Sequence, residues 1–158
     1  MNASRKTVLI IEDDEDVRKL LLQVLKPLGV VVKQAGDGEE GLKQAAGVAP
    51  DLVLLDILMP KLDGIQTLLK LRELRSLAET PIVVLTGNAN AEYVTQAAHL
   101  GASDFLVKPN FLEGKGLDRI RGWLGLPETG SGSDRAQQKR RKAGPGSPDR
   151  EAARGRGA

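Results

Sequence analysis

Short apolar stretches alternate along this chain with longer amphipathic ones. Thr7–Ile11 reads TVLII, a β-branched and apolar run that predicts a first strand. It stops at Glu12, Asp13 and Asp14, where Asp14 or Glu15 can cap a following helix. Val17, Leu20, Leu21, Val24 and Leu28 then recur at helical spacing, with Pro27 and Gly29 at the end. Residues 30–35 predict strand two, Gly36-Asp37-Gly38 a turn, and residues 39–46 a short helix with Leu42, Ala45 and Ala46 inward. Pro50 ends that helix. Residues 51–64, DLVLLDILMPKLDG, open with a wholly apolar run that halts at Asp56, the pattern of a strand covered on both faces.

Residues 65–76 predict a helix with Ile65, Leu68, Leu69 and Arg72 on neighbouring turns. Strand four, residues 82–85, follows Pro81 and ends in Thr86-Gly87. Residues 91–100 form a small-residue helix closed by Gly101. Asp104–Val107 is strand five, ending in Lys108-Pro109. Leu117, Ile120, Trp123 and Leu124 suit a last helix, closed near Gly125 and Pro127, with Trp123 in a packing role. The order is (βα)5, an α/β chain with a five-stranded parallel sheet and helices on both faces. Right-handed crossovers leave few topologies for it.

Composition narrows the chemistry. The chain has 158 residues, no cysteine and one histidine, which excludes disulfides, thiol catalysis and a multi-histidine metal site within it. No apolar run approaches the ~18 residues of a membrane span, and the N-terminal apolar segment is too short for a signal peptide. These features predict a cytoplasmic protein without membrane insertion. The net charge of +2 hides an asymmetry: residues 1–127 hold 15 Lys+Arg against 17 Asp+Glu, and residues 128–158 hold 8 against 4. The expected division is therefore a folded domain over 1–127 and a basic, disordered tail over 128–158. The tail has no apolar residue larger than alanine and cannot offset its ordering entropy. His99 reads as an exposed, helix-end residue.

The polar residues fall at strand ends. Strand one ends in Glu12 and Asp13, strand three in Asp56, strand four in Thr86 and strand five in Lys108. Open α/β sheets carry ligand sites at that edge. Carboxylates gathered there repel unless a cation joins them. Oxygen ligands select a hard ion, and few carboxylates plus water suit Mg2+. Asp13 and Asp56 would hold it, leaving room for an oxyanion faced by Lys108 and the Thr86 hydroxyl. Metal, ammonium and hydroxyl together suit a transferring phosphoryl group, with Asp56 as the nucleophile.

The acidic pair in IIEDDEDV, the acceptor in LVLLDILMPKLDG, the hydroxyl in IVVLTG and the lysine in DFLVKP occur in order and register. On those motifs the chain resembles a response-regulator receiver domain of two-component signalling, most like the free-standing chemotaxis-regulator type, over roughly residues 5–124. The resemblance implies a flavodoxin-like fold with strand order 2-1-3-4-5. It implies phosphorylation at Asp56, Mg2+ held by Glu12, Asp13, Asp56 and the Leu58 backbone carbonyl, and phosphoryl contacts from Thr86 and Lys108. Phe105 would be the switch aromatic, where the family often has Tyr. Leu58 and Asn88 would tune the rate of phosphoryl loss.

Implied partners are a sensor histidine kinase or histidine phosphotransfer protein, and an unidentified effector docking on a face with Tyr93, Phe105 and the last helix. No second folded domain is expected after residue 127, and the resemblance implies a phospho-acceptor that promotes its own phosphorylation and dephosphorylation, not a conventional multi-turnover enzyme. Alternatives are an intermediate phosphoryl shuttle, or a receiver that regulates nucleic-acid binding by the basic tail. The tail lacks the aromatics that would stack on bases. A phosphatase with an Asp nucleophile is disfavoured because Leu58 stands where a general acid would follow Asp56. Flavin binding is disfavoured because no phosphate loop follows strand one.

Overall fold

The computed structural model of the chain describes residues 5–57, 63–87 and 91–127. Five strands, β1 (Thr7–Ile11), β2 (Val31–Ala35), β3 (Leu52–Asp56), β4 (Ile82–Thr86) and β5 (Asp104–Val107), form one parallel sheet in the order β2-β1-β3-β4-β5. The helices between and after them are α1 (Glu15–Leu25), α2 (Gly38–Val48), α3 (Gly64–Glu73), α4 (Ala91–His99), α5 (Lys108–Leu112) and α6 (Leu117–Leu124). The expected strand order is the observed one.

Alternation along the strands builds two cores, because successive side chains leave a strand on opposite faces. Leu9, Ile11, Val53, Leu55, Ile82 and Val84 pack with Ala45 of α2, Leu68 and Leu71 of α3 and Ala97 of α4. Val8, Ile10, Leu52, Leu54, Val83 and Leu85 pack with Leu21 and Leu25 of α1, Phe111 of α5 and Ile120 and Leu124 of α6. Every residue of β3 and β4 is buried, as their apolar runs require. Each large aliphatic side chain so buried contributes about 2 kcal/mol.

Three helices start on an aspartate. Asp14 accepts from the Asp16 and Val17 amides, Asp37 from Glu40 and Asp63 from Gln66. A carboxylate there satisfies amides that the first turn leaves free and favours the dipole.

Four expectations need correction. Leu20 and Leu69 are 50% and 45% exposed, while Leu21, Leu25, Leu68 and Leu71 carry the burial. The apolar stripes of α1 and α3 are therefore set by pairs four and three apart, and the extra leucines lie outside them. Trp123 is 44% exposed rather than packed in a core, and its indole N–H donates to Asp104 Oδ2 at 2.9 Å. Ala46, expected inward on α2, is exposed. A short helix, α5, begins at Lys108, with Pro109 in its first turn, where a missing amide costs nothing. Gly114 and Gly116, at φ of 90° and 92°, end that turn of helix and start α6. Among the described residues no helix is long and apolar enough to cross a membrane.

Candidate functional site

The register of the sheet assembles one rim. Ile11 lies opposite Leu55, so Glu12 emerges beside Asp56. Asp56 lies opposite Leu85 and Thr86 opposite Val107, which brings Thr86 and Lys108 to the same edge. The Glu12 amide extends the β1–β2 ladder by one bond to Ala35 O. Glu12, Asp56 and Thr86 are buried, whereas Asp13, at the turn into α1, is exposed.

Lys108 joins the acids. Its Nζ lies 2.9 Å from Glu12 Oε1 and 3.3 Å from Asp56 Oδ2. Burial would lower the pKa of this ammonium, but Glu12 and Asp56 overcome that and raise it. The reverse holds at Glu12. Burial pushes its carboxyl up, Lys108 offsets part of that, the Asp56 charge adds to it, and the value reaches about 7. Glu12 Oε2 accepts from the Asp14 amide at 3.1 Å. Apart from the Lys108 ion pair, buried Oε1 has no hydrogen-bond partner among the described residues.

Backbone packing fixes the end of β3. The Gly64 amide donates to Ile57 O at 3.1 Å. A Cβ at Gly64 would sit 2.3 Å from Ile57 Cα and 2.6 Å from Asp56 O. The glycine in LDG is thus needed for a close approach of α3 to the backbone that carries Asp56.

Carboxylate oxygens of Glu12, Asp13 and Asp56 lie within 4.8 Å of one another. One lysine beside three acids leaves net negative charge, and that lysine is shared between Glu12 Oε1 and Asp56 Oδ2. This donor set of oxygens fits a hard divalent cation such as Mg2+. Phe105, opposite Val84, is partly buried against the core that includes Ala97 of α4. His99 is exposed, as expected. Leu58, Asn88, the Tyr93 side chain and the tail 128–158 lie outside the described residues.

Two features were not foreseen from sequence. Arg18 of α1 donates from Nη1 to the Glu12 carbonyl at 2.6 Å. A helical arginine five residues beyond an acidic pair gives no signal of that reach. The second is a carboxylate clamp at the other end of β5. Asp104 accepts from the Phe105 amide, from Arg119 Nε and Nη2, and from Trp123 Nε1. The i, i+4 spacing of Arg119 and Trp123 puts both on one face of α6.

Comparison with known proteins identifies the family. The response regulator receiver domain family matches residues 8–118. The alkaline phosphatase synthesis transcriptional regulatory protein PhoP of Bacillus subtilis is 38% identical over 104 residues, 66% of this chain and 42% of that protein. A protein-glutamate methylesterase/protein-glutamine glutaminase of Symbiobacterium thermophilum is 41% identical over 107 residues, 65% of this chain and 29% of its own length. The chain thus spans less than half the length of these curated relatives. Among solved structures, chemotaxis protein CheY4 of Vibrio cholerae is 28% identical at a TM-score of 0.68, over 74% of this chain and 99% of that one. The receiver domain of a Pseudomonas aeruginosa sensor histidine kinase, with magnesium ion coordinated in the active site cleft, is also 28% identical at a TM-score of 0.69, over 77% and 99%. Sheet order, strand-tip chemistry and these likenesses converge: the chain belongs to the response regulator receiver domain family.

Proposed function

We propose that the chain is a phospho-acceptor switch, in which Asp56 takes a phosphoryl group from a phosphohistidine on a sensor kinase or phosphotransfer protein. An Asp56 carboxylate oxygen attacks phosphorus in line. The new O–P bond forms as the P–N bond to the donor imidazole breaks, and that nitrogen keeps the electron pair and takes a proton. Lys108, ion-paired with Asp56 before transfer, follows the charge onto the phosphoryl oxygens. The Thr86 hydroxyl donates to one of them from the adjacent strand tip.

Glu12, Asp13, Asp56 and the Leu58 carbonyl would hold Mg2+. When bound, it supplies positive charge that offsets repulsion between the acids and the incoming phosphate. Thr86 and Phe105 then shift toward a second arrangement that a partner reads, a change of population with a local electrostatic cause. Leu58 and Asn88, by their sequence positions in the family pattern, would tune the rate at which water later removes the group.

The observation that carries this reading is the single ammonium shared between a buried acceptor carboxylate and a buried acid, with a third, exposed carboxylate alongside. The test is intact mass after incubation with acetyl phosphate. The parent should gain one phosphoryl group in Mg2+ and none in excess chelator, and Asp56→Asn should gain none. Equal gain by Asp56→Asn would refute the assignment.

A further inference from the structure

The turn between β1 and α1 carries two of the three clustered carboxylates, and its backbone is closed into a ring by one side chain. The Glu12 amide bonds the O of Ala35, the last residue of β2, so its carbonyl, on the same side of the strand, faces past the end of β2. Arg18 Nη1 donates to that carbonyl at 2.6 Å, the shortest hydrogen bond in this turn. The Arg18 amide meanwhile donates to Asp14 O at 2.9 Å, the first bond of α1. One residue therefore holds the turn at both its entry and its exit.

The other groups of Glu12 are also occupied. Its amide donates to Ala35 O, Oε2 accepts from the Asp14 amide, and Oε1 faces Lys108. Asp13 lies inside this ring with an exposed carboxylate, and its direction follows from the backbone on either side. The guanidinium lies beside the β2–α2 turn, where a Cβ at Gly36 would sit 3.4 Å from Nη1.

We infer that Arg18 is a positioning residue for the cation site, fixing the Glu12–Asp13 backbone so that both carboxylates point at Asp56 before the ion arrives. This rests on the Mg2+ reading of the rim. A preorganised ligand pair avoids an ordering cost on binding, and partners of ligands change metal affinity by roughly 10- to 100-fold. Arg18 touches neither phosphate nor cation, so its loss should act on Mg2+ affinity and leave the reaction at saturating Mg2+ intact.

The test uses the full chain with Arg18→Met and Arg18→Lys, each first checked for the parent's melting temperature without metal. Mg2+ affinity is read by calorimetry on unphosphorylated protein, and acetyl phosphate reaction rates are read across Mg2+ concentration. Arg18→Met should bind Mg2+ about 10-fold more weakly and reach the parent's rate at high Mg2+. Arg18→Lys, which keeps a donor on a long stem, should recover most of the affinity. Parent-like affinity in Arg18→Met, or a lowered melting temperature as the sole change, overturns the inference while leaving the Asp56 reading in place. A parent chain that binds no Mg2+ overturns both.

Discussion

The two ends of β5 treat charge in opposite ways. At its start, Asp104 is one carboxylate met by four donors, from Phe105, Arg119 and Trp123. Burial there would raise its pKa, but the Trp123, Arg119 and Phe105 hydrogen bonds more than offset that and lower it. Just past the other end, Lys108 serves two buried acids at once, and burial helps push Glu12 up to about 7. The first cluster is electrostatically satisfied and holds α6 to the sheet. The second is short of positive charge, as the proposed cation and phosphoryl site requires. Polar groups in one small domain can thus be sorted into fasteners and sites by whether their demand is met.

The largest expected effect comes from Gly64→Ala. The new Cβ meets backbone that cannot move aside, so stability should fall by about 3 kcal/mol in chemical denaturation. Any folded fraction should accept phosphate poorly, because Asp56 is displaced. A loss below about 1 kcal/mol would mean that the loop yields and that Asp56 is held by other contacts.

Next, neutralising an acid should have opposite signs in the two clusters. Asp104→Asn should lower stability by about 1.5 kcal/mol, since hydrogen bonds to a charged group are lost. Asp13→Asn, which relieves repulsion, should raise it by about 0.5 kcal/mol in metal-free buffer and lose that advantage in Mg2+. Denaturation of both variants with and without Mg2+ checks this. The same sign in both would erase the distinction.

The smallest effect is a pH dependence. Asp104 has its pKa lowered from 3.8 on folding, so its contribution is fully present above that value and is lost as pH falls through the folded pKa. The stability gap between parent and Asp104→Asn should therefore be flat above pH 3.8 and close below it. A gap that closes on raising the pH would contradict the assignment.

Much of this fold could be read from the chain because its strands are nearly pure. The run at Leu52–Leu55 and the abrupt Asp56 could only be a doubly covered strand meeting an edge, and parallel register does the rest. The rim at Glu12, Asp56, Thr86 and Lys108 was legible for the same reason. What escaped depends on distance in sequence or on competing preferences. The Asp104–Trp123 bond joins residues 19 apart, and an exposed tryptophan on an amphipathic helix looks like a core residue until its partner is known. The short helix α5 was not expected at all, because KPNFL is too brief to show a period, although Pro109 in its first turn costs nothing. Leu20 and Leu69 matched a helical period that tolerates one extra apolar position. Arg18 gave no pattern because its target is a backbone carbonyl.

The most direct measurement traps the acyl phosphate where it forms. After acetyl phosphate and Mg2+, borohydride reduction converts a phosphorylated aspartate to homoserine, which peptide mass spectrometry locates. Homoserine should appear at Asp56 and be much reduced in Lys108→Met. Homoserine at Asp13 or any other acid, with Asp56 unmodified, would contradict the assignment of the acceptor.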